Sequence, residues 1–112
     1  LYLATSKPII FAEQILKHFN LMQYFEGTVG ATLDGSLGEK GDVIAEVLRR
    51  YQIKDLTHTA MVGDRKFDIQ GGKKNGLITI GVLFGYGSKE ELETSGASAL
   101  AETVLQLKNL LL

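Results

Sequence analysis

The sequence predicts an α/β fold in three layers, a parallel sheet with helices on both faces. Short apolar runs rich in β-branched residues alternate with stretches of helical periodicity, the pattern of parallel strands joined by crossover helices. Polar residues gather where those runs end, at the side of an open α/β sheet that holds ligands. A length of 112 residues suits one domain with one core.

The elements follow in order. Leu1-Tyr2-Leu3-Ala4-Thr5 is a short apolar strand running into Ser6-Lys7-Pro8, with Pro8 in a first helical turn, where its missing N–H costs nothing. Ile9, Ala12, Ile15, Leu16 and Phe19 recur at helical spacing, predicting an amphipathic helix over 8–19. A short strand is expected over 25–31, and Asp34-Gly35 and Gly38 mark a turn-rich loop. Val43, Ile44, Val47, Leu48 and Tyr51 share one face of a helix over 42–51. Residues 59–62 form the next strand, and a helix over 67–75 stops at Gly76. Ile78, Ile80 and Val82 supply a β-branched strand over 77–83. The turn Gly85-Tyr86-Gly87 leads to a short helix over 89–94, a small strand over 98–101 and a last helix ending in leucines. The sequence contains no internal repeat, low-complexity segment or evident linker.

Composition narrows the functional classes. Hydrophobic residues at 45% and charged residues at 22% are those of a globular protein. A formal net charge of −1 offers no electrostatic basis for nucleic-acid binding. Without cysteine, neither disulfides nor thiolate metal sites are possible. No apolar run approaches the roughly 20 residues that cross a bilayer. Leu1 to Thr5 lacks the basic start of a signal peptide, so the cytoplasm is the expected compartment.

The chemistry sits at the strand ends. In Met61-Val62-Gly63-Asp64-Arg65-Lys66-Phe67-Asp68, an apolar strand stops at glycine and releases two carboxylates before a helix. Such a pair suits a hard cation such as Mg²⁺. Ser6-Lys7 leaves the first strand and Lys40 stands at a helix start. A hydroxyl, a lysine and a carboxylate pair are parts for phosphoryl transfer, the hydroxyl holding phosphate oxygens and the cations neutralising charge. Each has a plainer role: Ser6 or Asp64 as a helix cap, Lys40 as a solvated helix-start residue. Arg65 and Lys66 read as solvated, His18 and His58 as structural or exposed, and Tyr86 as a residue lining the site.

Taken together, Thr5-Ser6-Lys7-Pro8, Lys40-Gly41-Asp42-Val43-Ile44 and Val62-Gly63-Asp64-Arg65-Lys66-Phe67-Asp68 resemble the second, third and fourth motifs of the haloacid dehalogenase-like hydrolases. Their wording and order are most similar to the phosphoglycolate phosphatase-like branch, and the similarity runs on through Gly81 to Gly87 towards the C-terminus. The resemblance implies a Rossmann-like core and a Mg²⁺-dependent phosphatase acting through an aspartyl-phosphate intermediate on a small phosphorylated metabolite, such as 2-phosphoglycolate or a nucleoside monophosphate. It implies that Ser6 hydrogen-bonds the phosphoryl group and that Lys40 balances charge between that group and the nucleophile. It also implies that Asp64 and Asp68 serve the metal and that Lys7 touches substrate.

The family's first motif, Asp-x-Asp-Gly-Thr, is absent; Asp34-Gly35-Ser36 echoes it without the apolar strand and the earlier aspartate. That motif carries the nucleophile, and its strand lies centrally in the family's sheet. The expectation is therefore that 1–112 forms the C-terminal part of a core domain, incomplete and inactive alone, with nucleophile strand and cap upstream. Two other readings compete. A receiver-like phospho-acceptor module has similar parts, but its acidic pair comes first, whereas here the hydroxyl does. A non-catalytic phosphate-binding fragment is the other.

Overall fold

The computed structural model describes residues 1–112. Five strands and five helices alternate: β1 (Tyr2–Pro8), α1 (Ile9–His18), β2 (Gly27–Ala31), α2 (Lys40–Arg50), β3 (Ala60–Gly63), α3 (Lys66–Lys74), β4 (Ile78–Val82), α4 (Lys89–Thr94), β5 (Ala99–Ala101) and α5 (Val104–Leu111). Every strand pair is parallel, as the α/β pattern predicts. The chain divides into two compact units, Leu1–Lys54 and Asp55–Leu112, where its length suggested one core. The boundary falls within Ile53-Lys54-Asp55, which carries no glycine, proline or small polar run to mark it.

In the first unit β1 pairs with β2 from Tyr2↔Gly27 to Ala4↔Val29, and the register shifts before Pro8↔Ala31. The strand thus continues through Ser6-Lys7 to Pro8, whose φ of −53° and ψ of 132° are extended, and the helix starts at Ile9. Pro8 is therefore the last residue of the strand rather than the first of the helix. Val29, Val43 and Val47 are buried together, packed by Tyr2, Ala4, Leu37, Tyr51 and Ile53. Each such valine contributes roughly 1.5–3 kcal/mol by leaving water. Successive strand residues point to opposite faces. Val29 meets α2, while the hydroxyl of its neighbour Thr28 donates to Glu13 of α1 at 3.1 Å. The two helices therefore cover opposite faces of this sheet.

In the second unit the order is β3-β4-β5. β4, paired on both sides, is buried from Thr79 to Val82, whereas the edge strand β3 is half-buried throughout. Ile69 of α3 and Leu92 of α4 are fully buried. The Thr79 hydroxyl, also buried, accepts the Ser98 N–H at 3.1 Å, and the Ser98 hydroxyl accepts the Thr79 N–H at 3.2 Å. These reciprocal bonds satisfy polar groups that would otherwise carry an unpaid desolvation cost.

The helices α1 to α4 end alike. After each, one residue with positive φ (Asn20, Gln52, Gly76 or Gly96) turns the chain. The next N–H then reaches back five residues: Leu21 to Leu16, Ile53 to Leu48, Leu77 to Gly72 and Ala97 to Leu92. This is the Schellman arrangement, which satisfies carbonyls left over at a helix C-terminus.

Candidate active site

The expected site residues fall in both units. In the first, Ser6 and Lys7 are exposed at the carboxyl end of β1. Ser6 does not cap α1, because Pro8 holds the cap position without a side-chain bond. Lys40 opens α2, two residues earlier than periodicity suggested, since Gly41 hides the first turn. It is half-buried, and its Nζ donates to the Ala4 carbonyl of β1 at 3.2 Å. Lys40 is thereby drawn from the helix towards the strand end that carries Ser6.

In the second unit β3 stops at Gly63, and Asp64 follows at its carboxyl end. Asp64 is not a helix cap: its Oδ2 accepts the backbone N–H of Tyr86 at 2.8 Å. Asp68, only 6% exposed, is the third residue of α3 and reaches back to the loop. Its Oδ2 accepts the N–H groups of Asp64 and Arg65, each at 3.1 Å. Placing a carboxylate at the first turn of α3 also complements the positive end of the helix dipole. Gly63 leaves room for it, because a Cβ there would run into the Asp68 carboxylate. The two acids thus have different surroundings, one half-buried at the strand end and the other buried beneath the loop.

Arg65 and Lys66 are exposed, as expected of solvated residues, yet both are tied to α4, Arg65 through its side chain and Lys66 through its backbone. Glu91 of α4 accepts from Arg65 Nε at 3.0 Å and from the Lys66 N–H at 2.9 Å, both through Oε2. The Arg65 guanidinium holds the Glu91 carboxyl below its ordinary range, and Glu91 raises Arg65 in return. Both cations also lie over the Phe67 ring, Arg65 Cζ at 5.7 Å and Lys66 Nζ at 5.3 Å from its centre.

Sequence reading missed Glu91 and the role of the glycine-rich turn. A signal existed in Ser88-Lys89-Glu90-Glu91, a capping-box pattern in which the glutamate ordinarily returns to its own helix start. The Ser88 hydroxyl does accept the Glu91 N–H at 3.0 Å, but the Glu91 carboxylate serves α3 instead. Tyr86, 95% exposed, contributes through its backbone. His58 pairs with Asp55 at 2.8 Å and His18 stacks edge-on against Phe19, so neither joins the acids. An open groove of about 360 Å³ lined by Lys66, Gln70, Ser88, Glu91 and Thr94, among others, includes neither Asp64 nor Asp68.

No group of three His, Cys, Asp or Glu side chains converges anywhere in the chain. Two carboxylates fall short of the six to eight oxygens of a Ca²⁺ cage, but they fit Mg²⁺, which keeps several waters and uses one or two carboxylates.

Residues 1–82 match the sequence profile of the haloacid dehalogenase-like hydrolases. The chain is 40% identical over 92 residues to a 5'-nucleotidase of Pseudomonas aeruginosa, covering 82% of this chain and 41% of that one. It is 38% identical over 114 residues to the tyrosine-protein kinase PtkA of Mycobacterium tuberculosis, covering 99% of this chain and 38% of the kinase. A phosphoglycolate phosphatase of Vibrio vulnificus is 31% identical over 114 residues, covering 100% of this chain and 49% of that enzyme. Among solved structures, a Clostridium difficile protein assigned as a phosphatase superposes with a TM-score of 0.95 at 47% identity. That superposition covers 100% of this chain and 52% of that one. The chain thus spans about half, or less, of the length of these relatives.

Proposed function

Because this chain belongs to the haloacid dehalogenase-like hydrolases, and within them to the phosphoglycolate phosphatase-like branch, we propose that it forms part of a Mg²⁺-dependent phosphomonoesterase working through an aspartyl phosphate. The observation that carries this reading is Asp64 at the end of β3, with its loop held from beneath by Asp68. Asp64 would hold Mg²⁺, with Asp68 supporting the same ion chiefly by fixing the loop. When bound, the ion offsets negative charge developing on the phosphoryl oxygens. Ser6 donates its hydroxyl hydrogen bond to the phosphoryl group, and Lys40 supplies positive charge beside it. Lys7, exposed next to Ser6, meets the rest of the substrate.

The attacking aspartate comes from residues outside these 112, since no Asp-x-Asp-Gly-Thr motif lies among them. Substrates are small phosphate monoesters of the cytoplasm. The 5'-nucleotidase and phosphoglycolate phosphatase relatives favour a nucleoside monophosphate or 2-phosphoglycolate. The kinase relative favours a second reading, in which the same residues pass the phosphoryl group to a tyrosine rather than to water.

Assays of the intact protein with small phosphate esters, with and without Mg²⁺, test the proposal. Phosphate release is expected to need Mg²⁺ and to fall by at least about 100-fold in Asp64→Asn. Turnover that persists in EDTA and in that variant would sink the metal role. Transfer of label from ATP to a tyrosine peptide, without phosphate release, would favour the kinase reading.

A further inference from the structure

We infer that Glu91 is a positioning residue for the Asp64 loop, setting the metal affinity of that loop from a separate helix. This rests on the metal role proposed for Asp64.

The loop 64–65 connects a half-buried edge strand to a helix, so its backbone conformation is not set by sheet pairing. Three anchors hold it. Asp68 receives the N–H groups of Asp64 and Arg65, Tyr86 donates its N–H to the Asp64 carboxylate, and Glu91 takes the Lys66 N–H and the Arg65 side chain. The first anchor comes from α3 itself, and the second involves the very carboxylate that serves the metal. Glu91 ties the loop and the start of α3 to α4, through the Arg65 side chain and the Lys66 N–H. It binds the helix N–H directly after Arg65, and by gripping Arg65 it also fixes the residue next to Asp64. Its own backbone is in turn fixed by the Ser88 hydroxyl.

A carboxylate that holds the residues following a metal ligand acts on affinity by limiting where that ligand can go. Loss of such supporting partners typically weakens metal binding by about 10- to 100-fold. One anchor of three is expected to lie at the low end of that range.

The test uses the intact, isotope-labelled protein. Amide exchange at Lys66 reports the anchor, and a Mg²⁺ titration followed by the Gly63 and Asp64 amide shifts reports affinity. In Glu91→Ala, exchange at Lys66 should quicken about tenfold and the Mg²⁺ dissociation constant should rise roughly tenfold. Glu91→Gln keeps an acceptor for the Lys66 N–H while losing the charge opposite Arg65, so both effects should be partly restored. Thr103→Ala removes the side-chain cap of α5, where the Thr103 hydroxyl accepts the Gln106 N–H at 3.1 Å, and serves as the comparison for general destabilisation. It should leave Mg²⁺ affinity unchanged.

Faster exchange at Lys66 with unaltered affinity would reduce Glu91 to a structural contact and overturn the inference. So would a Thr103→Ala variant that loses affinity as much as Glu91→Ala. A wild-type protein that shows no Mg²⁺ response at Gly63 or Asp64 overturns the metal reading and this role together. That pattern is distinct from a wild type that binds while the Glu91 variants bind equally well.

Discussion

Single residues show why similar carboxylates take different parts. Asp64 follows a strand end and spends one oxygen on the Tyr86 N–H, whereas Asp68 is buried and spends one on two loop amides. Asp34, in the sequence that echoes a nucleophile motif, has yet another fate. It lies in an exposed turn after β2, where its Oδ1 accepts the Ser36 N–H at 2.9 Å and the Ser36 hydroxyl at 2.8 Å. The Ser36 N–H, with help from the Thr32 and Ser36 hydroxyls, lowers its carboxyl to about 2. A carboxylate so stabilised and so exposed is a turn-maker rather than a nucleophile. Because its pKa is depressed on folding, the stabilisation is complete above the unfolded value near 3.8 and is lost as pH falls through about 2. An NMR titration of the Ser36 amide should show a midpoint near 2, and Ser36→Ala should move it upward. A midpoint at the ordinary aspartate value would show that the turn does not hold the carboxylate.

Elements show how far local sequence reaches. Gly76 was legible as a helix stop because glycine enters the left-handed region without a Cβ penalty, and its φ is +75°. The same turn after α2 is made by Gln52 at φ +54°, which no sequence rule marks, so the helix end was read from periodicity instead. The start of α2 at Lys40 was equally hidden, because Glu39 offers no side-chain cap bond. The strands were plain where β-branched residues cluster, as in β4, and less so in β1, whose extension through Ser6-Lys7-Pro8 comes from pairing with β2. The α3 side of the acidic loop was visible in its motif. Its α4 side was not, because the contact between Arg65 and Glu91 spans 26 positions. The shared helix ending makes a paired prediction. Gln52→Gly should stabilise the protein by about 0.5–1 kcal/mol, by relieving a side chain from the left-handed region. Gly76→Ala should destabilise it by about 1 kcal/mol for the opposite reason. Denaturant unfolding of both variants measures this, and a destabilised Gln52→Gly would mean that the glutamine side chain contributes more than its backbone costs.

At the scale of the whole molecule, the question is whether 112 residues suffice for turnover. The available nucleophiles argue against it. Asp64 and Asp68 each accept backbone N–H groups of the surrounding loops, and Asp34 is held in its turn by Ser36. The two histidines are engaged elsewhere, His18 stacking on Phe19 and His58 bonded to Asp55. Lys40 is directed to the Ala4 carbonyl as a charge, not as an attacking amine. We therefore predict that the 112-residue chain releases no phosphate from small esters even at saturating Mg²⁺, while still showing Mg²⁺-dependent shifts at the Gly63 and Asp64 amides. A longer chain that adds an Asp-x-Asp-Gly-Thr strand should acquire turnover that depends on Asp64. Hydrolysis by the 112-residue chain, abolished by Asp64→Asn, would show that one of its own groups attacks the phosphate and would overturn the assignment of the nucleophile elsewhere.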